Sequence, residues 1–322
     1  MTQLGIQIIP TMPAAEIIDT VIAAEQLGYD YCLLADEGFM PDIYAVLGAA
    51  AQRTTRIKLG PVTNGYTRHP AVTANALATL DDLSDGRALV VLVAGGSMVL
   101  NPMGIAREAP LTVVNETIEI LRQLWSGASV TWQGKRFSLH DAQLHGGAHH
   151  AIPIWLAVRG DKMLQLAGQK ADGVVLMAKS DIEPALAIML RSERVQQAPV
   201  KRIYLDRIAY TPAMLKEASY LYTYALMDSP QRMLDGLGVS ADEIHQIRAA
   251  MAVGGPAAAA KLVRPAMIQR YQIAGTPDEC RQTLRALIDK QQVDVFVMNI
   301  IAGGLEANRR LLQDVRAIVQ EA

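Results

Sequence analysis

Short, almost wholly apolar runs return along this chain, each separated from the next by a longer amphipathic stretch. A run that is apolar on both faces suits a strand of a parallel sheet covered on both sides, and the amphipathic stretch suits the helix that leads to the next strand. Eight such runs are read: Leu4 to Ile9, Tyr31 to Ala35, Ile57 to Leu59, Ala88 to Val93, Ile154 to Val158, Gly173 to Met177, Arg202 to Tyr210 and Val293 to Met298. Helices are expected between them, including Ala14 to Leu27 before Gly28, Ala71 to Leu83 before the stop Asp85-Gly86, Leu111 to Trp125, Met214 to Met227 and Pro277 to Lys290. Eight alternating units predict an α/β fold of the (β/α)8 TIM-barrel type rather than an open doubly wound sheet.

Two stretches depart from the alternation. Val130 to Leu144 alternates apolar and polar residues around Gly134 and reads as a small excursion, and residues 229–271, broken by Gly and Pro, read as a helical insertion before the last unit. With no Gly/Ser-rich or Pro-rich linker in view, a single domain over residues 1–322 is expected.

The composition narrows the function. At 51% hydrophobic and 19% charged, 322 residues can bury a large core, and 30 basic against 32 acidic residues leave no cationic excess for nucleic acid or anionic lipid. Small-molecule partners are expected. The two cysteines, Cys32 and Cys280, argue against a disulfide framework and against a Cys-rich metal site, so no metal and a reducing, cytoplasmic setting are expected. No basic leader or apolar run of membrane-spanning length is read.

In a barrel of this kind the chemistry sits on the loops that follow the strands. Those positions are Pro10 and Met12, Asp36 and Glu37, Thr63 and Asn64, Gly95 to Ser97, Arg159 and Gly160, Ala178 and Lys179, and Asn299 to Gly304. Asp36 and Glu37 close a buried strand, where a carboxylate can exchange a proton or accept a hydrogen bond from a ring; helix capping is the plainer role. Thr63 and Asn64 offer uncharged hydrogen bonding to a heterocycle, or simple turn chemistry. Gly95, Gly96 and Ser97 let backbone N–H groups approach a ligand. Arg159 and Gly160, between a strand and a helix start, suit a phosphate with its countercharge; a solvated surface arginine is the alternative. His69, before Pro70, reads as structural, and the adjacent His149 and His150 make a poor metal pair. No Walker loop, GxGxxG fingerprint, HExxH or G-x-S-x-G motif occurs.

Three segments carry a family resemblance: Ile57 to Gly96 (IKLGPVTNGYTRHPAVTANALATLDDLSDGRALVVLVAGG), Pro153 to Met177 (PIWLAVRGDKMLQLAGQKADGVVLM) and Ala274 to Ile288 (AGTPDECRQTLRALI). With the start from Gly5 to Pro10, the sequence resembles the bacterial-luciferase-like flavin and deazaflavin oxidoreductases over nearly its whole length, and within them the methylenetetrahydromethanopterin reductases. The resemblance implies a homodimeric barrel with the deazaflavin coenzyme F-420, or alternatively FMN, over the strand ends. It implies a cofactor site at Pro61, Val62, Thr63, Asn64, Gly95, Gly96, Ser97, Val158, Arg159, Gly160 and Met177. It also implies a strand-three bulge with a non-prolyl cis peptide, here between Pro61 and Val62, although this chain is one residue shorter there than the family's Gly-Pro-Gly-Val-Thr-Asn form.

Three departures bear on function. The chain has Gln7 where the methanopterin reductases carry a glutamate, Ser97 where they carry an acid after the strand-four glycines, and Glu37 where a histidine commonly follows the aspartate in deazaflavin dehydrogenases. Proton handling is therefore expected at Glu37, beside Asp36. The expected activity is hydride transfer between F-420 and a small organic substrate; the alternatives are an FMN-dependent monooxygenase and a non-catalytic flavin-binding barrel.

Overall fold

The computed structural model describes residues 2–194, 198–301 and 303–320. Its strands are β1 (Gln3–Ile9), β2 (Tyr31–Ala35), β3 (Lys58–Thr63), β4 (Val90–Val93), β5 (Val130–Gln133), β6 (Ser138–Ala142), β7 (Ile154–Ala157), β8 (Gly173–Leu176), β9 (Lys201–Asp206) and β10 (Val295–Ile301). Eight of them pair side by side in the order β1-β10-β9-β8-β7-β4-β3-β2 and close into a barrel, every neighbour parallel. The (β/α)8 architecture expected from the eight apolar runs is the one observed. The excursion after residue 130 is the antiparallel hairpin β5-β6.

Alternation along each strand divides the apolar residues into two cores. Tyr31, Leu33, Val62, Leu89, Val91, Trp155, Val175, Ile203, Leu205, Val295 and Val297 fill the barrel interior. Their sequence neighbours, such as Cys32, Leu34, Val90, Leu92, Phe296 and Met298, pack outward against the helices. Where β3 and β4 approach, a Cβ at Gly60 would stand 2.4 Å from the Leu89 carbonyl oxygen, so only glycine lets the two strands meet.

Local signals end the helices as read. Helix Pro70–Ser84 starts with proline in its first turn and stops at Asp85, left-handed at φ 52°, followed by Gly86 at φ 77°. Helix Pro277–Gln291 opens with a reciprocal capping box between Thr276 and Glu279.

Three expectations are corrected. Strand three was expected over Ile57 to Leu59, but β3 runs on to Thr63. Gly60-Pro61 reads as a breaker, yet the pairing with β4 skips these two residues, between the Leu59–Ala88 bridge and the Val62–Val91 pair. Pro61 thus loses no needed donor. The expected bulge and cis peptide between Pro61 and Val62 are not formed: no peptide bond among the described residues is cis, and β3 pairs with β2 from Lys58 to Val62 without a register shift. With one residue fewer than the family form there is no extra residue to bulge, and a non-prolyl cis bond costs about 3–4 kcal/mol.

The third correction concerns the helical insertion. Helix Pro212–Met227, expected to cover the barrel, places Tyr222 and Leu226 in a separate apolar cluster with Met233, Leu237, Ile247 and Met267 of helices Gln231–Leu237, Ala241–Ala259 and Pro265–Tyr271. The layer position between β9 and β10 falls instead to helix Pro277–Gln291, whose Cys280 and Leu284 belong to the outer core. The insertion therefore begins at residue 212 rather than near 229. Among the described residues no helix is long and apolar enough to cross a membrane.

Candidate functional site

Because all eight barrel strands are parallel, the residues that follow them collect at one mouth. Asp36 and Glu37 follow β2, Asn64 follows β3, Gly95 to Ser97 follow β4, Val158 to Gly160 follow β7, and Met177 follows β8. Pro61, Val62 and Thr63 lie within the last half of β3 instead of beyond it. Of the run Asn299 to Gly304, Ala302 lies outside the described residues.

Asp36 and Glu37 are neighbours with different surroundings. Thr63 Oγ1 donates to Asp36 Oδ2 at 3.0 Å, whereas the Glu37 carboxyl has no hydrogen-bond or ion-pair partner among the described residues. Burial pushes the Glu37 carboxyl above its ordinary range, and the charge of Asp36 beside it pushes the same way. A carboxyl so placed holds its proton to higher pH and can act as a general acid. Asn64, 4% exposed, spends its side-chain oxygen on the turn, accepting from the N–H groups of Tyr66 at 2.8 Å and Thr67 at 3.0 Å. His69 is structural, as read: its Nδ1 accepts from Ala71 N at 3.2 Å to cap the next helix.

Gly95, at φ 78°, turns the chain after β4, and a Cβ on Gly96 or on Gly160 would meet nothing within 4 Å. Backbone is thus open to a ligand on both sides of the β4-β7 seam. Ser97 is covered by a residue that no local motif announces. Asp228, at the end of helix Pro212–Met227, accepts from Ser97 Oγ at 3.1 Å and lies 3.6 Å from Arg107. Arg107 also donates to the Ala94 carbonyl at 3.1 Å, so one carboxylate of the insertion holds two points of the segment that follows β4.

Arg159 is neither a free surface side chain nor aimed at open space. It donates to the Ala225 carbonyl at 2.8 Å and reaches Met177 Sδ at 3.9 Å. Its own carbonyl accepts from Arg232 at 2.6 Å. Arg232 also pairs with Asp161 at 3.0 Å and with the buried Asp181. Burial raises the Asp181 carboxyl, opposed by the Arg232 contact. Burial lowers the pKa of the Lys179 ammonium, opposed by the charge of Asp206 at the end of β9. The histidine pair is accounted for by Asp81, which accepts from the backbone N–H groups of His149 and His150. Among the described residues no group of three or more His, Cys, Asp or Glu is arranged to hold a metal ion.

Residues 2–294 match the family model of the luciferase-like monooxygenases. The chain belongs to this luciferase-like family. It is 32% identical over 298 residues to 5,10-methylenetetrahydromethanopterin reductase of Archaeoglobus fulgidus, covering 88% of this chain and 90% of that protein. The solved structure of the coenzyme F-420-dependent tetrahydromethanopterin reductase from Methanopyrus kandleri superposes with a TM-score of 0.86 at 26% identity, covering 99% of each chain. An F-420-dependent secondary alcohol dehydrogenase, 20% identical with a TM-score of 0.77 over 99% of this chain and 98% of that one, shares the fold. This luciferase-like protein is accordingly an enzyme, an oxidoreductase whose relatives include F-420-dependent reductases.

Proposed function

We propose that this luciferase-like oxidoreductase transfers hydride between an F-420-type deazaflavin and a small organic substrate bound across the barrel mouth. The observation that carries the reading is the likeness, over nearly all of both chains, to the F-420-dependent tetrahydromethanopterin reductase. The mouth fits such a cofactor: Gly96 and Gly160 leave room beside backbone, and Val62, Val93, Ala157 and Met177 form an apolar wall suited to a ring. When bound, the deazaflavin supplies the two-electron chemistry.

The chain's own residues do the rest. Pro61, Val62, Thr63 and Asn64, with Gly95, Gly96 and Ser97, hold the ring and the chain attached to it. Val158, Arg159, Gly160 and Met177 hold the phosphate side, where the start of helix Asp161–Lys170 adds oriented N–H groups. Glu37 holds and moves the proton at its carboxyl, and Asp36, kept in place by Thr63, is the fixed acceptor beside it. Titration of the purified chain with F-420 and with FMN tests the reading. Binding of F-420 with turnover supports it. Binding of FMN alone, with rapid oxygen consumption once reduced, would overturn it in favour of an FMN-dependent monooxygenase, and binding of neither would overturn it outright.

A further inference from the structure

The inner wall of the mouth holds two amides without partners. On β1 a Cβ at Gly5 would touch Val297 and Tyr31, both interior, so Gly5 faces inward. Gln7, two residues on, faces the same way. On β10 Val295 and Val297 are interior, so Asn299 is too, and the barrel register sets Gln7 directly beside Asn299. Gln7 is 9% exposed, yet its amide finds no hydrogen-bond partner among the described residues. The Asn299 Oδ1 atom is buried and also without a partner. Two adjacent amides could satisfy each other, and these do not.

We propose that Gln7 and Asn299 determine specificity by reading the edge of an uncharged substrate that carries an N–H donor beside a C=O acceptor, as a lactam or cyclic urea does. A primary amide has both a donor and an acceptor end, so the pair matches an edge that offers both in whichever sense each amide is turned. The edge is read as neutral because the two amides that meet it carry no charge, and the inward-facing Leu33, Val62, Val93, Ala157 and Leu205 offer apolar surface to the rest of the ring. An unmet buried acceptor is a standing cost that a bound ligand would relieve. The proposal rests on the reading of this mouth as the reaction site, and names the class of substrate that it takes.

The test uses uracil as probe, with 1,3-dimethyluracil, which lacks both N–H groups, as control. Both are titrated into the full chain in the presence of F-420 and followed by NMR of the Gln and Asn side-chain amides. Uracil is expected to bind in the roughly millimolar range of a small fragment, to shift the Gln7 and Asn299 resonances, and to bind about tenfold more tightly than the dimethyl control. Asn299→Leu should abolish that preference, leave the F-420 affinity within about twofold, and raise Tm, because it deletes an unmet buried acceptor. Equal binding of the two probes, absence of uracil binding, or a lowered Tm with the preference intact would each overturn the proposal. Gln7→Met on the neighbouring strand is measured in parallel, so that a folding failure in one variant leaves the other to decide. Failure of F-420 to bind, with the uracil preference retained, would sink the cofactor reading and not this one.

Discussion

Arg232→Met cuts the link between the insertion and the phosphate side of the mouth. The wild-type guanidinium reaches three acceptors: Asp161, Asp181 and the Arg159 carbonyl. The three carry unequal weight. Asp161 is 59% exposed in its side chain, so that ion pair contributes close to nothing. Asp181 is 5% exposed, and removing one partner of a buried pair costs about 3–5 kcal/mol because the other charge stays behind. The expected loss at pH 7 is therefore roughly 3–5 kcal/mol, dominated by Asp181. Its pH dependence has a definite sign. Burial already holds the Asp181 pKa above its ordinary 3.8, and loss of Arg232 removes the opposing influence and raises it further. The penalty belongs to the ionised form, so the deficit against wild type is present at neutral pH and fades as pH falls through the raised pKa. Urea unfolding at pH 7 and at acid pH measures it. Arg232→Met combined with Asp181→Asn should regain most of the loss. A loss under about 1 kcal/mol, a loss that does not depend on pH, or no recovery in the double variant would refute the assignment.

Glu37→Gln should lower turnover by about a hundredfold while F-420 affinity barely changes; a rate within a factor of about three of wild type would remove Glu37 from the mechanism. Since burial holds the folded-state pKa of Glu37 above 4.5, wild type loses stability as pH rises past that value, and Glu37→Gln should gain on it from there towards neutrality in urea titrations. Gly96→Ala and Gly160→Ala place a methyl in open space at ordinary φ of −87° and −74°, so Tm should hold while F-420 titration weakens; unchanged binding would move the ligand elsewhere. Arg159→Ala should weaken F-420 binding about ten- to a hundredfold, the worth of a charge-assisted hydrogen bond, and an unchanged titration would leave Arg159 only its structural contact with Ala225.

What the chain alone determined was the barrel and the end of it that matters. Buried parallel strands must be apolar on both faces and must be joined by amphipathic helices, so the eight runs, the helix stop at Asp85-Gly86 and the helix start at Pro277 could be read locally. Strand polarity then assigned Asp36, Asn64, Gly96 and Gly160 to one mouth. The tertiary structure decided what depends on residues far apart in sequence. Asp228 reaches Ser97 across 131 positions with no motif at either end. Gln7 and Asn299 become neighbours only when β1 closes on β10. Helix Pro212–Met227 has the same amphipathic pattern whether it covers the barrel or its own small core, so only the partner buried against its apolar face could place it in the insertion. Pro61 could remain inside a strand because the neighbouring strand asks for no N–H at that position, and that demand is written in the pairing rather than in the residue.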